Sequence, residues 1–294
     1  MSENAINQRY VQKSYLFPFR SNPDRKTVED AKIHCLDKQS GKLFEPNIKN
    51  VASGRRMYDT EYCDGSRGTL EHDLSVWEDE WRESRDLLVA RGWEGLTVEH
   101  RHRLAKFVAV QLLRTAEIRQ RLETILEITQ EVAPATSPDR RILPQAHEAL
   151  LRNAQQEEAI LMGMNWVVGE SASRTPLWLS DVPVTRWSVP DRTGRSHVAL
   201  NGPGTVLYLP LTPTIGLKLA AAGSNQAHSH RERLSAADVD FRNRLQVAWS
   251  RRFLFSPEAD FQRAQEQLQQ DPALCDPDRP TLGLEEYVRR SSRT

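Results

Sequence analysis

The stretch TVEHRHRLAKFVAVQLLRTAEIRQRLETILEITQEV, residues 97–132, contributes most to the expected fold. Its apolar residues recur at intervals of three and four, the spacing that places side chains on one face of an α-helix. They are Leu104, Phe107, Val108, Val110, Leu112, Ile118, Leu122, Ile125 and Ile128. Thr97 has a side chain typical of a helix N-cap. We therefore expect one long helix over about residues 97–132.

Two more long helices are expected over about residues 70–91 and 144–164, where apolar residues again follow helical spacing. Residues 236–253 and 258–270 show the same pattern, and a short helix with buried aromatic rings is expected within residues 7–20.

The β structure is expected in two regions. Residues 31–37 alternate in polarity, and the Lys38–Gly41 segment supplies a turn, so the chain around it favours a hairpin. The later runs NWVVGE, PLWLSDVPVT, TVLYLPLT and IGLKLAA are short, apolar and separated by proline or glycine. Together the elements predict an α+β fold, with long helices packed on a small mixed or antiparallel sheet. We expect a single domain over residues 1–272 and a C-terminal tail over 273–294.

Composition excludes several classes of protein. The chain has 294 residues with 40 Lys+Arg and 40 Asp+Glu, so any site for nucleic acid or another anion must be a local patch. The three cysteines form no CxxC pair, which favours a reducing compartment, and we expect a cytoplasmic protein. No run approaches the ~20 apolar residues of a membrane span. Sequence signatures of P-loop, Rossmann and α/β-hydrolase enzymes are lacking.

Several short motifs follow one another in a characteristic order. They are Arg9-Tyr10-Val11 through Leu16, a hairpin with Asn50-Val51-Ala52, Glu71 and Glu78, Gln111 with Arg114-Thr115 and Arg119, Ser180-Asp181-Val182-Pro183-Val184, Pro210-Leu211-Thr212-Pro213, Asn243, and Phe255-Ser256. Over about residues 7–256 this order resembles the bacterial family called domain of unknown function 4238. The resemblance implies a fold rather than an activity, and it marks Asn243 as a candidate ligand-binding residue.

Two positions depart from the family pattern. The family usually has histidine before the Tyr-Val pair, where this chain has Arg9, and asparagine where it has Val182. If the family histidine were catalytic, this chain would lack it. Tyr10 and Tyr15, with Arg9, Lys13 and Arg20 nearby, could stack on bases, or their rings could be core anchors with the basic residues at the rim.

Gln111, Arg114, Thr115 and Arg119 form the strongest candidate site. On a continuous helix their spacing places them along one ridge, where arginine could bind a phosphate or carboxylate with two hydrogen bonds. The competing interpretation is a buried structural network that pairs these arginines with acids of the preceding helix.

Carboxylates complete this candidate site. Asp181 ends a β run, so it could act as a base or bind a metal, or it could simply hold a turn. With Glu71 and Glu78 it could form a site for Mg²⁺ or Mn²⁺, although exposed helical acids are commonly only solvated. His228 and His230 form an HxH pair without further ligands at a zinc-like spacing, so no zinc site is predicted and no residue is assigned as a metal ligand.

Three functional hypotheses follow from these residues. The first is a nuclease-like effector of bacterial conflict or defence, in which Arg114, Arg119, Asp181 and Glu71 cleave phosphodiesters of nucleic acid. The second is a module that binds a phosphorylated small molecule or a partner without chemistry, through Gln111, Thr115 and their neighbours. The third is that the polar residues only hold helix to sheet.

Overall fold

The computed structural model describes most of the chain. The described residues are 7–55, 59–61, 67–69, 71–115, 118–120, 122–123, 125, 142–152, 154–188, 200, 202, 204–221 and 229–279. Within them the helices are α1 (Lys13–Leu16), α2 (Glu71–Arg91), α3 (Val98–Leu113), α4 (Ile142–Arg152), α5 (Ala154–Met162), α6 (Ala236–Trp249) and α7 (Gln262–Gln270). None of these described helices is both long enough and apolar enough to cross a bilayer.

The strands of the described residues form two larger sheets and two small pairs. They are β1 (Asn7–Arg9), β2 (His34–Asp37), β3 (Leu43–Phe44), β4 (Ser53–Arg55), β5 (Asp59–Glu61), β6 (Arg67–Thr69), β7 (Asn165–Ser171), β8 (Leu179–Ser180), β9 (Thr185–Ser188), β10 (Thr205–Pro210), β11 (Ile215–Ala220), β12 (Ser229–Leu234) and β13 (Phe253–Ser256). The five-stranded sheet has the order β12-β7-β11-β10-β9, and the four-stranded sheet has the order β3-β2-β13-β8. Only the β12–β7 pair in these two sheets is parallel. The expected α+β class with a mixed sheet is confirmed.

Helix α3 is shorter than its sequence predicts. Thr97 caps its start as expected, because its hydroxyl accepts a hydrogen bond from the His100 amide. The helix ends at Leu113, Arg114 and Thr115 are not helical, and residues 118–120 are helical again. There the Thr115 hydroxyl accepts a hydrogen bond from the Ile118 amide at 3.4 Å, as an N-cap does. A threonine side chain that competes for main-chain groups in this way favours a break in the helix. The single helix over 97–132 was therefore a wrong prediction.

Residues 142–152 and 154–162 are helical, in the region where a helix was expected over 144–164, and Asn153 between them lies outside the described residues. Two other predictions need correction. Residues 229–234, which lie outside the β runs predicted from the sequence, form the edge strand β12. Residues 253–256, which include the end of a predicted helix, form β13 between β2 and β8, because the apolar run Phe253–Phe255 fits a buried strand as well as a helix.

The hairpin of β2 and β3 forms as predicted. Gly41 adopts φ +69° in its turn, a conformation that costs glycine little, and its amide donates to the Asp37 carbonyl at 2.8 Å. Strand β13 pairs with the other side of β2. This pairing places the turn that precedes β13, at residues 250–252, beside the Asp37 end of the hairpin.

The N-terminal segment lies at the centre of the core. The indole ring of Trp81 stacks on Phe107 with centroids 3.5 Å apart, and the ring of Tyr15 meets both edge-on. The Tyr15 hydroxyl donates to the Pro210 carbonyl at 2.7 Å, and the Trp81 indole donates to the Gln12 side chain at 2.6 Å. Both polar groups are thus satisfied inside the core, as buried aromatic donors require. The expected aromatic anchor is present and joins α2, α3 and the five-stranded sheet.

Candidate functional site

The end of α3 buries three of the predicted site residues. Gln111, Arg114 and Thr115 each expose 1% or less of their surface. Arg114 is the C-cap of α3, and Arg119 belongs to the helical turn that follows the break. The four residues therefore do not share one continuous helical ridge, although they remain neighbours along the chain.

The Gln111 side chain is buried in an unusual state. Its amide nitrogen and amide oxygen both lack a hydrogen-bond partner among the described residues. Buried polar groups are nearly always satisfied in folded proteins, and an unsatisfied one costs about 1–3 kcal/mol. A side chain in this state is expected to lower the stability of the fold, a cost that proteins accept at some positions needed for function.

Replacing Gln111 should stabilise the protein. In Gln111→Met the two unsatisfied polar groups give way to an apolar chain of similar length, so we expect the free energy of unfolding to rise by about 1–2 kcal/mol. Urea denaturation followed by circular dichroism measures this change. Gln120→Met, at a partly buried polar residue farther along, is the matched control. An unchanged or lower stability of Gln111→Met would show that the Gln111 amide is satisfied in solution.

His147 joins this region from α4, although the sequence gave no reason to select it. It is 2% exposed, and its Nε2 lies 2.7 Å from the Leu113 carbonyl at the end of α3. Because a carbonyl only accepts, Nε2 carries the hydrogen of this bond. Burial lowers the pKa of His147, and the charges of Arg119 and Arg114 lower it further. The imidazole therefore lies close to both arginines, and a lone histidine within a helical pattern gives no signal of such a position.

The Asp181 carboxylate is held by main-chain amides. Its Oδ1 accepts from the Arg251 amide at 2.9 Å, and its Oδ2 accepts from the Arg252 and Phe253 amides at 2.7 and 3.0 Å. Burial raises the pKa of Asp181, while these three donors and the charge of Lys38 act in the opposite direction. The geometry gives Asp181 a structural role at the entrance to β13. Its predicted catalytic role stays a prediction.

An open cavity of about 390 Å³ adjoins this aspartate. We call it the arginine pocket, because Arg119, Arg251 and Arg252 line it. Its other lining residues are Tyr10, Ser53, Gln120, Glu123, Asp181, Phe253, Pro277 and Asp278. Three residues predicted for the site, Tyr10, Arg119 and Asp181, therefore meet in one cavity although they lie far apart in sequence.

Two of the pocket arginines are held in place by hydrogen bonds. Arg252 binds the Asp37 carboxylate with two nitrogens, at 3.2 and 2.9 Å, and its guanidinium lies over the Phe253 ring. Arg251 is 7% exposed and donates to the Arg279 carbonyl. Burial raises the pKa of Asp37, but the hydrogen bonds and the charge of Arg252 lower it, and the net pKa is lowered. Fixed guanidinium groups lose less conformational freedom when they bind a ligand.

A strained residue helps to position Tyr10. Ala52 has φ +54°, in the left-handed region that residues with a β-carbon rarely adopt. Its carbonyl accepts hydrogen bonds from the amides of Tyr10 and Val11 at 3.1 and 3.4 Å. Ser53, which follows it, lines the arginine pocket together with Tyr10. Strain of this kind costs about 1–3 kcal/mol and clusters at functional sites.

The comparison with protein families bears on this architecture. A family model described as "Protein of unknown function (DUF4238)" matches residues 7–260. The chain belongs to the DUF4238 family. The resemblance expected from the order of the motifs is confirmed, and the match covers most of the chain. Neither the curated proteins nor the solved structures contain a match to it.

In this DUF4238 chain several of the motif residues fasten main-chain segments. Asn243 on α6 accepts from the Trp178 amide at 2.8 Å and donates to the Pro176 carbonyl at 2.9 Å. Gln246, one turn later, donates to the Pro183 carbonyl, and the Ser180 hydroxyl lies 2.6 Å from its oxygen. Asn243 is thus engaged with the main chain, and its ligand-binding role stays a prediction.

The side chains of Arg9, Glu71 and Glu78, and all of His228, lie outside the described residues. His230 lies in β12, where its carbonyl accepts from the Trp93 indole at 2.9 Å. Among the residues that the structure describes, no three His, Cys, Asp or Glu side chains are grouped as metal ligands would be.

Proposed function

We propose that the protein binds a small phosphorylated molecule in the arginine pocket. The observation that carries the proposal is the convergence of Arg119 with Arg251 and Arg252 on one cavity of about 390 Å³. Guanidinium groups match the geometry of phosphoryl oxygens and can bind two of them at once. The volume falls within the usual range of small-molecule sites, about 300–1,000 Å³.

The acidic residues of the pocket do not prevent an anion from binding there. Asp181 directs both of its oxygens to main-chain amides, so much of its charge is already compensated. Glu123 and Asp278 also line the cavity, and both are exposed to solvent that screens them. The guanidinium groups therefore provide the stronger interaction for a phosphoryl group, while the acids favour a ligand that also carries hydroxyl or amino groups.

The aromatic rings suggest the rest of the ligand. Tyr10 and Phe253 line the same cavity, and Tyr10 is partly exposed. Aromatic side chains next to phosphate-binding arginines are suited to stack on a base or another flat ring. A mononucleotide combines both features, so we take nucleoside monophosphates as the first class of ligand to test.

Binding should depend strongly on Arg119. We expect adenosine monophosphate to raise the melting temperature in a saturable way, and Arg119→Ala to weaken the Kd about 10- to 100-fold because a charged hydrogen bond is lost. Thermal shift and isothermal titration calorimetry measure both effects. Arg103→Ala is the matched control, since Arg103 pairs with Glu99 and Glu83 on α3 and α2. Equal affinity of Arg119→Ala and wild type, or no binding by any nucleoside mono-, di- or triphosphate, would contradict the proposal.

The same proteins test the nuclease hypothesis. Short RNA and single-stranded DNA are incubated with wild type and Arg119→Ala in the presence of Mg²⁺ or Mn²⁺. Cleavage by the wild type alone supports a nuclease in which this pocket binds the scissile phosphate. Intact nucleic acid together with saturable nucleotide binding favours a binding module without chemistry.

A further inference from the structure

The segment that follows α7 packs against the end of α6. Leu274 is buried in an apolar cluster that also contains Val247 of α6. A turn follows at residues 276–279, in which the Asp276 carbonyl accepts a hydrogen bond from the Arg279 amide at 3.4 Å. We call this turn the latch.

The Arg279 side chain fastens the latch to α6. Its Nη2 donates to the carbonyls of Ala248 and Ser250, both at 2.7 Å, and its Nη1 donates to the Asp276 carbonyl at 3.0 Å. The Lys38 ammonium donates to the same Ser250 carbonyl at 2.6 Å. The last carbonyls of a helix have no partner within the helix and carry partial negative charge, so cationic donors stabilise them. Arg279 therefore links the latch to groups that require a donor.

The charges around Arg279 belong to a network that already holds the pocket. Burial lowers the pKa of Arg279, and the charge of Asp181, followed by those of two other aspartates, raises it. The Asp181 charge also raises the pKa of Lys38. Asp181 thus compensates both cations while its oxygens hold the turn at residues 251–253.

The latch reaches the arginine pocket in two ways. Pro277 and Asp278 line the cavity, so the latch forms part of its wall. The Arg279 carbonyl accepts a hydrogen bond from Nη1 of Arg251, which is one of the pocket arginines. The family match ends at residue 260, so this wall comes from outside the matched part of the chain.

We propose that Arg279 is a positioning residue of the arginine pocket, which holds the latch on α6 so that the latch closes one side of the pocket and fixes Arg251. The nature of the ligand rests on the proposed function, whereas the latch can be tested without a ligand. A guanidinium that is fixed before binding loses less conformational freedom when the ligand arrives, so Arg279 strengthens binding without contacting the ligand. Because closure favours binding, a bound ligand must in turn stabilise the closed latch.

Hydrogen exchange tests the latch in the absence of ligand. In Arg279→Met the amides of residues 271–279 should exchange about tenfold faster than in wild type, because the segment opens more often once its hydrogen bonds to α6 are lost. Mass spectrometry of the peptide that covers these residues measures the rates. Arg263→Met is the matched control, since Arg263 is an exposed arginine of α7 that lies 3.8 Å from Glu266. Equal exchange in Arg279→Met and wild type would overturn the proposal.

A conservative variant covers the case in which Arg279→Met does not fold. Arg279→Lys keeps the charge but has fewer directed donors, so it should exchange at a rate between those of wild type and Arg279→Met. Exchange of Arg279→Lys at the wild-type rate, with Arg279→Met unfolded, would likewise contradict the latch.

Nucleotide binding tests the positioning role. Arg279→Met should weaken the Kd for adenosine monophosphate about 3- to 10-fold, because Arg251 is no longer fixed before binding. The same substitution should have little further effect in Arg251→Met, where the side chain that it positions is absent. In wild type, adenosine monophosphate should slow the exchange of residues 271–279 in a saturable way.

Two results of the binding experiments are decisive. Additive losses of affinity in the double variant, or an exchange rate that the nucleotide leaves unchanged although it binds, would contradict the positioning role. If wild type binds no nucleotide, the proposed function fails, and the comparison of exchange rates without ligand still decides whether Arg279 holds the latch.

Discussion

Asp181→Asn is expected to lose about 3–4 kcal/mol of its free energy of unfolding. The carboxylate accepts from the amides of Arg251, Arg252 and Phe253. A carboxamide offers only one oxygen, so its NH₂ group must face at least one of these buried amide donors. The substitution removes charge-assisted hydrogen bonds and leaves a donor unsatisfied, and each effect costs about 1–3 kcal/mol.

Urea denaturation at pH 7 measures this loss. Asp240→Asn is the matched control, because Asp240 forms an exposed i,i+4 ion pair with Arg244 that should contribute less than about 0.5 kcal/mol. If the two variants were equally stable, the amides around Asp181 would have to be satisfied in another way. The result also bears on catalysis, since loss of activity in Asp181→Asn would first reflect the displaced turn at residues 251–253.

The buried Lys38 ammonium should make stability depend on pH. Lys38 is 2% exposed and donates to the carbonyls of Val247 and Ser250 at 2.7 and 2.6 Å, at the end of α6. Burial, with a contribution from the Arg279 charge, lowers its pKa from 10.5 to about 7. In the unfolded chain the lysine keeps its proton until about pH 10.5. Folding therefore releases a proton between these pH values, and stability rises with pH across that window.

From pH 7 to pH 10.5 we expect the unfolding free energy of wild type to rise by on the order of 3–5 kcal/mol relative to that of Lys38→Met. Urea denaturation at intervals of half a pH unit gives the slope, and the comparison removes effects that both proteins share. One such effect is Cys35, whose pKa is raised mainly by burial, so that its ionisation in the unfolded chain lowers stability at alkaline pH.

Lys42→Met provides the control for this measurement. Lys42 is exposed in the turn of the hairpin, so its replacement should leave the pH dependence of wild type unchanged. A constant difference between wild type and Lys38→Met would show that the ammonium stays charged in the folded protein. The carbonyls at the end of α6 would then stabilise its charge more than burial destabilises it.

Local patterns predicted those elements whose burial follows a simple period. The hairpin turn at Gly41 and the aromatic segment around Tyr15 were predicted correctly, because a glycine in a turn and apolar residues at helical spacing both reflect local geometry. Strand β12 was not, because its sequence SHRERL lies at a sheet edge and buries only Leu234 fully. The break after Leu113 was missed since apolar residues continue at helical spacing on both sides of it.

The candidate site likewise contains some residues that the sequence predicted and others that only the fold brings to it. Spacing along the chain singled out Arg119, and the family pattern singled out Asp181 and Tyr10. The opposing arginines, Arg251 and Arg252, lie in a run that periodicity assigned to a helix end. Nothing local indicates that β13 brings them to the same cavity, because that contact depends on how the four-stranded sheet pairs.

The sequence by itself determined the α+β class, most of the elements and, through the order of its motifs, membership of DUF4238. It also established that no global charge attracts an anion, since the acidic and basic residues balance. Tertiary structure alone decided which charges are used inside the fold and which face a cavity. Residues 97–132 illustrate the reason: their apolar period is a property of neighbouring residues, whereas the cavity that Arg119 lines also needs Asp181, Arg251 and Arg252, from segments more than 60 residues away.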